Sequence, residues 1–194
     1  MYTILLDSSN TSLTVGLAKD NVLLEETSYE AWQSQSEHMI PELDNLLNIY
    51  HVTNNEIEDL MVAIGPGSYT GVRIAITIAK TIATALNVKV YAVSSLRCQK
   101  DSKNPSICVI NARSGRSYFG VYDNEKIIVE DTIFTNDKVL DYIKEHPDYV
   151  LCGDAKYLGL EGKINSLSEQ MLSLKKYLKP VDDPLGIKPV YMKD

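Results

Sequence analysis

Two short stretches bring together residue types that can do chemistry. Asp7-Ser8-Ser9-Asn10-Thr11 sets a carboxylate and hydroxyls at the end of an apolar run, Tyr2–Leu6. A carboxylate facing a Ser/Thr turn can hold a hydrated cation beside a polyphosphate. The same residues can also fold back on the backbone as a capped hairpin turn. No glycine here lets a phosphate approach the chain closely, which weighs toward the turn. The second stretch is Gly65-Pro66-Gly67-Ser68-Tyr69-Thr70-Gly71. It is not a Walker A loop, because no Gly-Lys-Ser/Thr follows. It also departs from GxGxxG, since Thr70 stands at the third glycine and Gly71 comes one residue late. It keeps the physics of a turn that delivers free N–H groups to a helix N-terminus, where an anion is stabilised. Tight strand-to-helix packing, with Ser68 or Thr70 as the cap, explains it equally. Asp7, Ser8, Thr11, Gly67 and Ser68 are thus the candidates for contact with a nucleotide.

The remaining reactive side chains carry less. Histidines occur at 38, 51 and 146 only, none in HExxH or HxxxH spacing, so no metal site is expected. His38 beside Glu37 reads as a helix-start histidine with a local hydrogen bond. Cys98, Cys108 and Cys152 are odd in number and lack CxxC spacing, which suggests buried thiols in a reducing compartment. Arg113 and Arg116 flank Ser114-Gly115, either a cationic turn that could meet a phosphate or an exposed hairpin tip. Trp32, the only tryptophan, anchors either the core or an interface.

These groups must be positioned by the elements around them. Tyr2–Leu6, Ser12–Ala18 and Val22–Ser28 read as a three-stranded meander. Ser34–Tyr50 reads as a helix with a capping box, Ser34 to Glu37, and with Pro41 kinking or delaying its first turn. Thr53 and Glu56 spell a second box ahead of the strand Leu60–Ile64. The helix Thr70–Leu86 is apolar almost all round, with Arg73, Thr77, Lys80 and Thr84 as one narrow polar stripe. Such a helix needs two burials, one against its own sheet and a second against another protein. Beyond it, Ser94–Lys103 reads as a short helix and loop. Strands are expected over Ile107–Ala112, Arg116–Asp123, Lys126–Phe134 and Tyr149–Cys152, with helices over Thr135–Glu145 and Ser166–Leu178. This repeated plan implies two related subdomains, and the Pro-Val-Tyr tail is expected to return to the first half.

Composition bounds the function. The chain has 194 residues, 44% hydrophobic and 23% charged, enough for one domain or two compact halves. A net charge of −7 argues against a surface that grips nucleic acid unaided. No run is long and apolar enough for a membrane span, and the N-terminus lacks the pattern of a secretory signal, so a cytoplasmic protein without membrane contact is expected.

The strand followed by GPGSYTGVRIAITIAK resembles the signature of TsaB, a bacterial family of threonylcarbamoyladenosine biosynthesis proteins in the actin/Hsp70/sugar-kinase superfamily. YTILLDSSNTSLTVGL, SQSEHMIPELDNLL, YAVSSL, NARSGRSYFGVY and KPVYMKD resemble other segments of that family, in its order, with Asn111 where the family carries aspartate. The match is dense over 1–96 and thin over 123–188.

The resemblance implies an α/β fold of two actin-like (ribonuclease-H-like) subdomains, mixed sheets flanked by helices, divided as 1–96 and a reduced 97–194. The catalytic paralogue, TsaD, carries a metal-binding His-x-x-x-His pair after the strand matching Val88–Val93; here Ser95 and Gln99 stand in those places. Hydroxyl and amide groups substitute poorly for imidazole on a transition metal. The resemblance therefore implies a non-catalytic scaffold with no cofactor of its own. Its implied partners are a TsaD-type subunit and, in a larger complex, a TsaE-type ATPase. tRNA would be reached only through that complex, and a homodimer could use the same surface. The docking helices would be Ser36–Tyr50 and Thr70–Leu86, with His38, Leu43, Leu46, Arg73, Ile74, Thr77, Ile78, Lys80 and Thr81 at the interface. An ATP-binding enzyme using Asp7, Ser8, Thr11 and the glycine turn is the alternative, and a metallopeptidase a more remote one.

Overall fold

The computed structural model describes residues 1–192; the last two residues of the KPVYMKD resemblance lie outside them. The first sheet holds β1 (Tyr2–Asp7), β2 (Ser12–Lys19), β3 (Val22–Glu30), β4 (Ile57–Ala63) and β5 (Lys89–Val93), in the order β3-β2-β1-β4-β5. The β1–β2–β3 meander is antiparallel, whereas β4 and β5 add in parallel. β1 is buried along its whole length because both sheet faces are covered. Ile4 and Leu6 point to the face beneath helices α1 (Gln35–Ile49) and α2 (Tyr69–Leu86). Leu5 points to the other face, where it meets Met171 and Leu174 of α4 (Leu167–Lys175).

The second sheet repeats the plan with one strand fewer. β6 (Ser106–Arg113), β7 (Arg116–Asp123) and β8 (Lys126–Thr135) form the meander, and β9 (Val150–Cys152) joins β6 in parallel, in the order β8-β7-β6-β9. Helix α3 (Asn136–Glu145), capped by the Thr135 hydroxyl, brings Val139 onto Phe119 and Val121. Two actin-like halves with a reduced second half are thus what the chain builds.

The division at residue 96 needs correction. α4 belongs to the second half of the chain yet packs on the first sheet. Its N-terminus is held there by Glu26 of β3, which accepts from the Ser168 N–H at 2.6 Å and the Ser166 hydroxyl at 3.1 Å. At the other end, the Lys175 ammonium meets Asp59 at 2.6 Å. Beyond α4, Val181 N–H donates to Val90, Ile187 enters the core, and Val190 N–H donates to Ile64. The first unit is therefore completed by residues 167–190.

Local readings are adjusted too. The Ser34–Glu37 capping box does not form, because the Ser34 hydroxyl is drawn back to the Ala31 carbonyl at 3.2 Å. The second box does form: the Glu56 carboxylate accepts from the Thr53 N–H at 2.9 Å and the Thr53 hydroxyl at 2.8 Å. α1 continues through Pro41, the seventh of its fifteen residues, which has no N–H to give the Glu37 carbonyl. β4 begins earlier than Leu60, at Ile57, the expected helix near 94–103 is one short turn, Arg97–Gln99, and α4 ends at Lys175 instead of Leu178.

Candidate functional site: an interdomain cleft and a helix groove

The Asp7–Thr11 turn and the glycine turn are joined to each other. Ser68 N–H donates to the Ser9 carbonyl at 2.7 Å, and the Ser8 hydroxyl donates to the Gly71 carbonyl at 2.7 Å. A Cβ at Gly67 would collide with the Ser9 carbonyl oxygen, and one at Gly71 with that of Ser8. Both glycines are thus required by close approach of backbone to backbone. Ser68 is the cap of α2, its hydroxyl accepting from Gly71 N–H at 3.3 Å. Of the two explanations for this turn, strand-to-helix packing accounts for its glycines.

Asp7 ends β1 almost fully buried, its carboxylate accepting from Ser9 N–H at 2.6 Å. Burial pushes its pKa up to about 6, against the lowering pull of that hydrogen bond. Asp7 and Thr11 line a cleft of about 410 Å³ between the two sheets, with Gln99, Gly153, Lys156 and Lys163 also on its wall. Lys163 is tied to Asp101. Burial alone would raise the Asp101 carboxyl, but that ammonium and the N–H groups of Lys103 and Asn104 hold it well below the carboxylate range. Of the five nucleotide candidates, Asp7 and Thr11 reach this cleft, Gly67 and Ser68 line a neighbouring cavity, and Ser8 is buried with its hydroxyl committed.

Ser95 and Gln99 are buried and occupied. The Ser95 hydroxyl accepts from the Gly65 N–H at 3.0 Å, and Ser95 N–H donates to the Gly65 carbonyl at 2.9 Å. Gln99 donates to the Ser95 carbonyl at 3.3 Å and packs against the Gly153 backbone. Among the described residues, no cluster of three or more His, Cys, Asp and Glu could hold a metal.

A shallow groove runs between α1 and α2, lined by Ser36, Ile40, Tyr69, Arg73, Ile74, Thr77 and Ile78. Ile40 is 49% exposed and Tyr69 60%. The inner side of α2 (Val72, Ala75, Ile76, Ala79, Ala83) is buried on the sheet, so the outer apolar rows are its second, open face.

The interface expectation is thereby divided. Arg73, Ile74, Thr77 and Ile78 come together in the groove. Leu43 and Leu46 do not, because they are buried in the core beneath α1. His38 turns its ring edge to Tyr29 of β3, and Lys80 and Thr81 lie further along α2, outside the groove. Ile40 and Tyr69 also line the groove, though they were not among the expected residues. An apolar side chain at i+4 from Ser36, off the Met39–Leu43–Leu46 row, was the available signal for Ile40. Among the described residues, no helix is long and apolar enough to cross a membrane.

The family model described as "TsaD: tRNA N6-adenosine threonylcarbamoyltransferase" matches residues 29–155. A Bacillus subtilis protein named tRNA threonylcarbamoyladenosine biosynthesis protein TsaB is 31% identical over 69% of this chain, an alignment spanning 60% of that relative's length. An uncharacterized Mycoplasma genitalium protein is 28% identical over 100% of this chain and 95% of its own. The solved structure of YeaZ from Pseudomonas aeruginosa superposes with a TM-score of 0.81 at 21% identity, covering 98% of this chain and 99% of that one. This last likeness concerns the fold.

Proposed function

The chain belongs to the TsaD/TsaB family of threonylcarbamoyladenosine biosynthesis proteins, on its TsaB side, and from that premise we propose that it is a non-catalytic scaffold of the tRNA-modifying assembly. It docks on a TsaD-type catalytic subunit through the α1–α2 groove, joins a TsaE-type ATPase in the larger complex, and meets tRNA only there. The isolated chain pairs with itself through the same groove when the partner is absent. It works in the cytoplasm and needs no cofactor of its own.

The observation that carries this reading is the groove. Half-exposed Ile40 stands beside Ile74 and Ile78, an apolar seam rimmed by Ser36, Arg73 and Thr77. An apolar centre with an Arg and aromatic rim has the composition of a protein interface. Ser95 and Gln99 support the non-catalytic part, since their polar atoms serve the fold at the positions where the paralogue carries its metal ligands.

Co-expression with a TsaD-type subunit tests it. Wild-type chain is expected to co-purify as a stoichiometric complex, and Ile40→Asp and Ile78→Asp to lose it while keeping the wild-type circular dichroism. A complex unaffected by either substitution in folded protein would sink the docking model. ATP binding in the Asp7 cleft is the rival, favoured by Lys156 and Lys163 on its wall. Tight binding of ATP and magnesium by the isolated chain would replace the pure scaffold with that reading.

A further inference from the structure

The face of the first sheet opposite the α1–α2 groove carries a cavity of about 600 Å³, at the end of α4. Tyr91 of β5, Lys100 and Ser102 of the loop before β6, and Asn124 and Glu125 of the β7–β8 turn line it, with residues 172–178 alongside them. Lys100 is the odd residue there. It is only 5% exposed, yet no carboxylate pairs with it among the described residues. An ammonium has three N–H donors. The acceptor Lys100 meets is the Gln170 amide oxygen, at 3.4 Å, which is long for such a bond.

The acids nearby are engaged elsewhere. Asp101 is held by Lys163 and by the N–H groups of Lys103 and Asn104. The Glu125 carboxylate accepts from the Tyr177 hydroxyl at 2.5 Å. Arg97, three residues before Lys100, adds a second cation. Its Nη2 donates to the Glu125 carbonyl at 3.0 Å, while its Nε is enclosed without a partner among the described residues. Burial first, and the Arg97 charge second, lower the Lys100 pKa, as they must for an ammonium with no anion bound beside it.

Enclosing a charge is costly unless it is paired. Lys175 and Lys176 have an ordinary reason to be here, since cations suit the C-terminal end of a helix, and Lys175 is spent on Asp59. That account does not reach Lys100, which stands on a loop and is far more enclosed than Lys176. An ammonium with unused donors favours a charged group that offers several acceptor oxygens on one centre. We propose that this cavity binds a small free oxyanion, a carboxylate or a phosphate, with Lys100 as its counter-charge, Ser102 and Asn124 as neutral donors and Lys176 at the exposed rim. The site lies across the sheet from the α1–α2 groove and apart from the Asp7 cleft. It stands on the isolated chain, whether or not that chain docks on a TsaD-type subunit.

Thermal unfolding of the full chain is followed against orthophosphate and, separately, succinate, with sodium chloride holding the ionic strength constant. A saturable rise in the midpoint is expected for at least one of them. The anion that half-saturates at the lower concentration identifies the head group. Lys100→Met keeps an unbranched side chain of similar size without the charge, and is expected to weaken half-saturation roughly tenfold. Lys176→Ala, at the exposed rim, is expected to weaken it roughly threefold. Glu125→Gln removes a like charge from the wall and is expected to tighten it. Circular dichroism checks folding, and the opposite signs at Lys176 and Glu125 decide the matter even if Lys100→Met does not fold. A Lys156→Ala control, altered only in the Asp7 cleft, is expected to behave as wild type. A midpoint that climbs linearly with both anions overturns the proposal. So does half-saturation unchanged in a folded Lys100→Met, or an effect abolished by Lys156→Ala.

Discussion

The hydroxyl of Ser8 donates to the carbonyl of Gly71 across 2.7 Å, sixty-three positions away in sequence. In return, the Ser8 carbonyl oxygen occupies the space that a Cβ at Gly71 would need. The end of β1 and the first turn of α2 are thereby held as one body, and the groove residues Tyr69, Arg73 and Ile74 start from that anchor.

Gly71→Ala separates two effects of opposite sign. In a solvent-facing helix position, alanine in place of glycine stabilises by about 1 kcal/mol. Here the added methyl must push the Ser8 carbonyl away and break a buried hydrogen bond. The net expectation is a loss of about 3 kcal/mol, read as a lowered midpoint in urea. An unchanged or raised midpoint would mean that the two segments are not in contact.

Asp7 gives a pH signature. Its folded pKa is about 6, against 3.8 for an ordinary aspartate. Between those values the folded state holds the proton and the unfolded state does not, so stability is present below pH 4 and is lost as pH rises through 6. That difference corresponds to about 3 kcal/mol. Asp7→Asn keeps an oxygen for the Ser9 N–H and removes the buried charge. It is expected to be more stable than wild type at pH 7.5 and to show little difference at pH 4. Thermal unfolding at both pH values decides this, and a variant destabilised at pH 7.5 contradicts it.

The meander and the glycine helix were legible because each obeys a local period: alternation in Ser12–Ala18, and apolar residues nearly all round from Val72 to Leu86. The route of α4 was not. Leu167, Met171 and Leu174 announce a buried stripe, but no local pattern says which sheet it covers; that is settled by Glu26 meeting Ser168 and by Lys175 meeting Asp59. The two capping boxes make the same point. Ser34–Glu37 and Thr53–Glu56 are spelled alike, yet only the second forms, because a turn back to Ala31 captures the Ser34 hydroxyl. The groove between α1 and α2 was half legible: periodicity identifies buried rows, so Leu43 and Leu46 were grouped with Ile74 and Ile78, while exposed Ile40 lies off that row.

Ser95 can be tested as a structural residue. Its hydroxyl is the acceptor for the buried Gly65 N–H, so Ser95→Ala is expected to cost about 1–2 kcal/mol of stability. The double substitution Ser95→His, Gln99→His writes a His-x-x-x-His pair into this position. The larger rings enter a site where Ser95 is fully enclosed and Gln99 abuts the Gly153 backbone. A greater loss of stability, with no zinc or iron binding by calorimetry, is expected. Stoichiometric metal binding in a stable double variant would mean that the fold can accept a histidine pair at these two positions and that the native side chains alone keep a metal out.

Lys175 fastens α4 to the first sheet. Its ammonium reaches Asp59 at 2.6 Å, the Thr3 hydroxyl at 3.1 Å and the Asn21 amide oxygen at 3.1 Å. The Lys175 and Asp59 side chains are only 14% and 10% exposed, and one Asp59 oxygen has no hydrogen-bond partner among the described residues. Removing the cation leaves a carboxylate in a poorly solvated place, so Lys175→Met is expected to destabilise by about 3 kcal/mol. Removing both charges in Lys175→Met, Asp59→Leu is expected to recover most of that loss, because the cost lies in the stranded charge more than in the missing attraction. Denaturant midpoints for the wild type, both single variants and the double variant complete the cycle. Additive losses in the double variant would show that the pair contributes through packing alone, and that α4 is held by Met171 and Leu174 without electrostatic help.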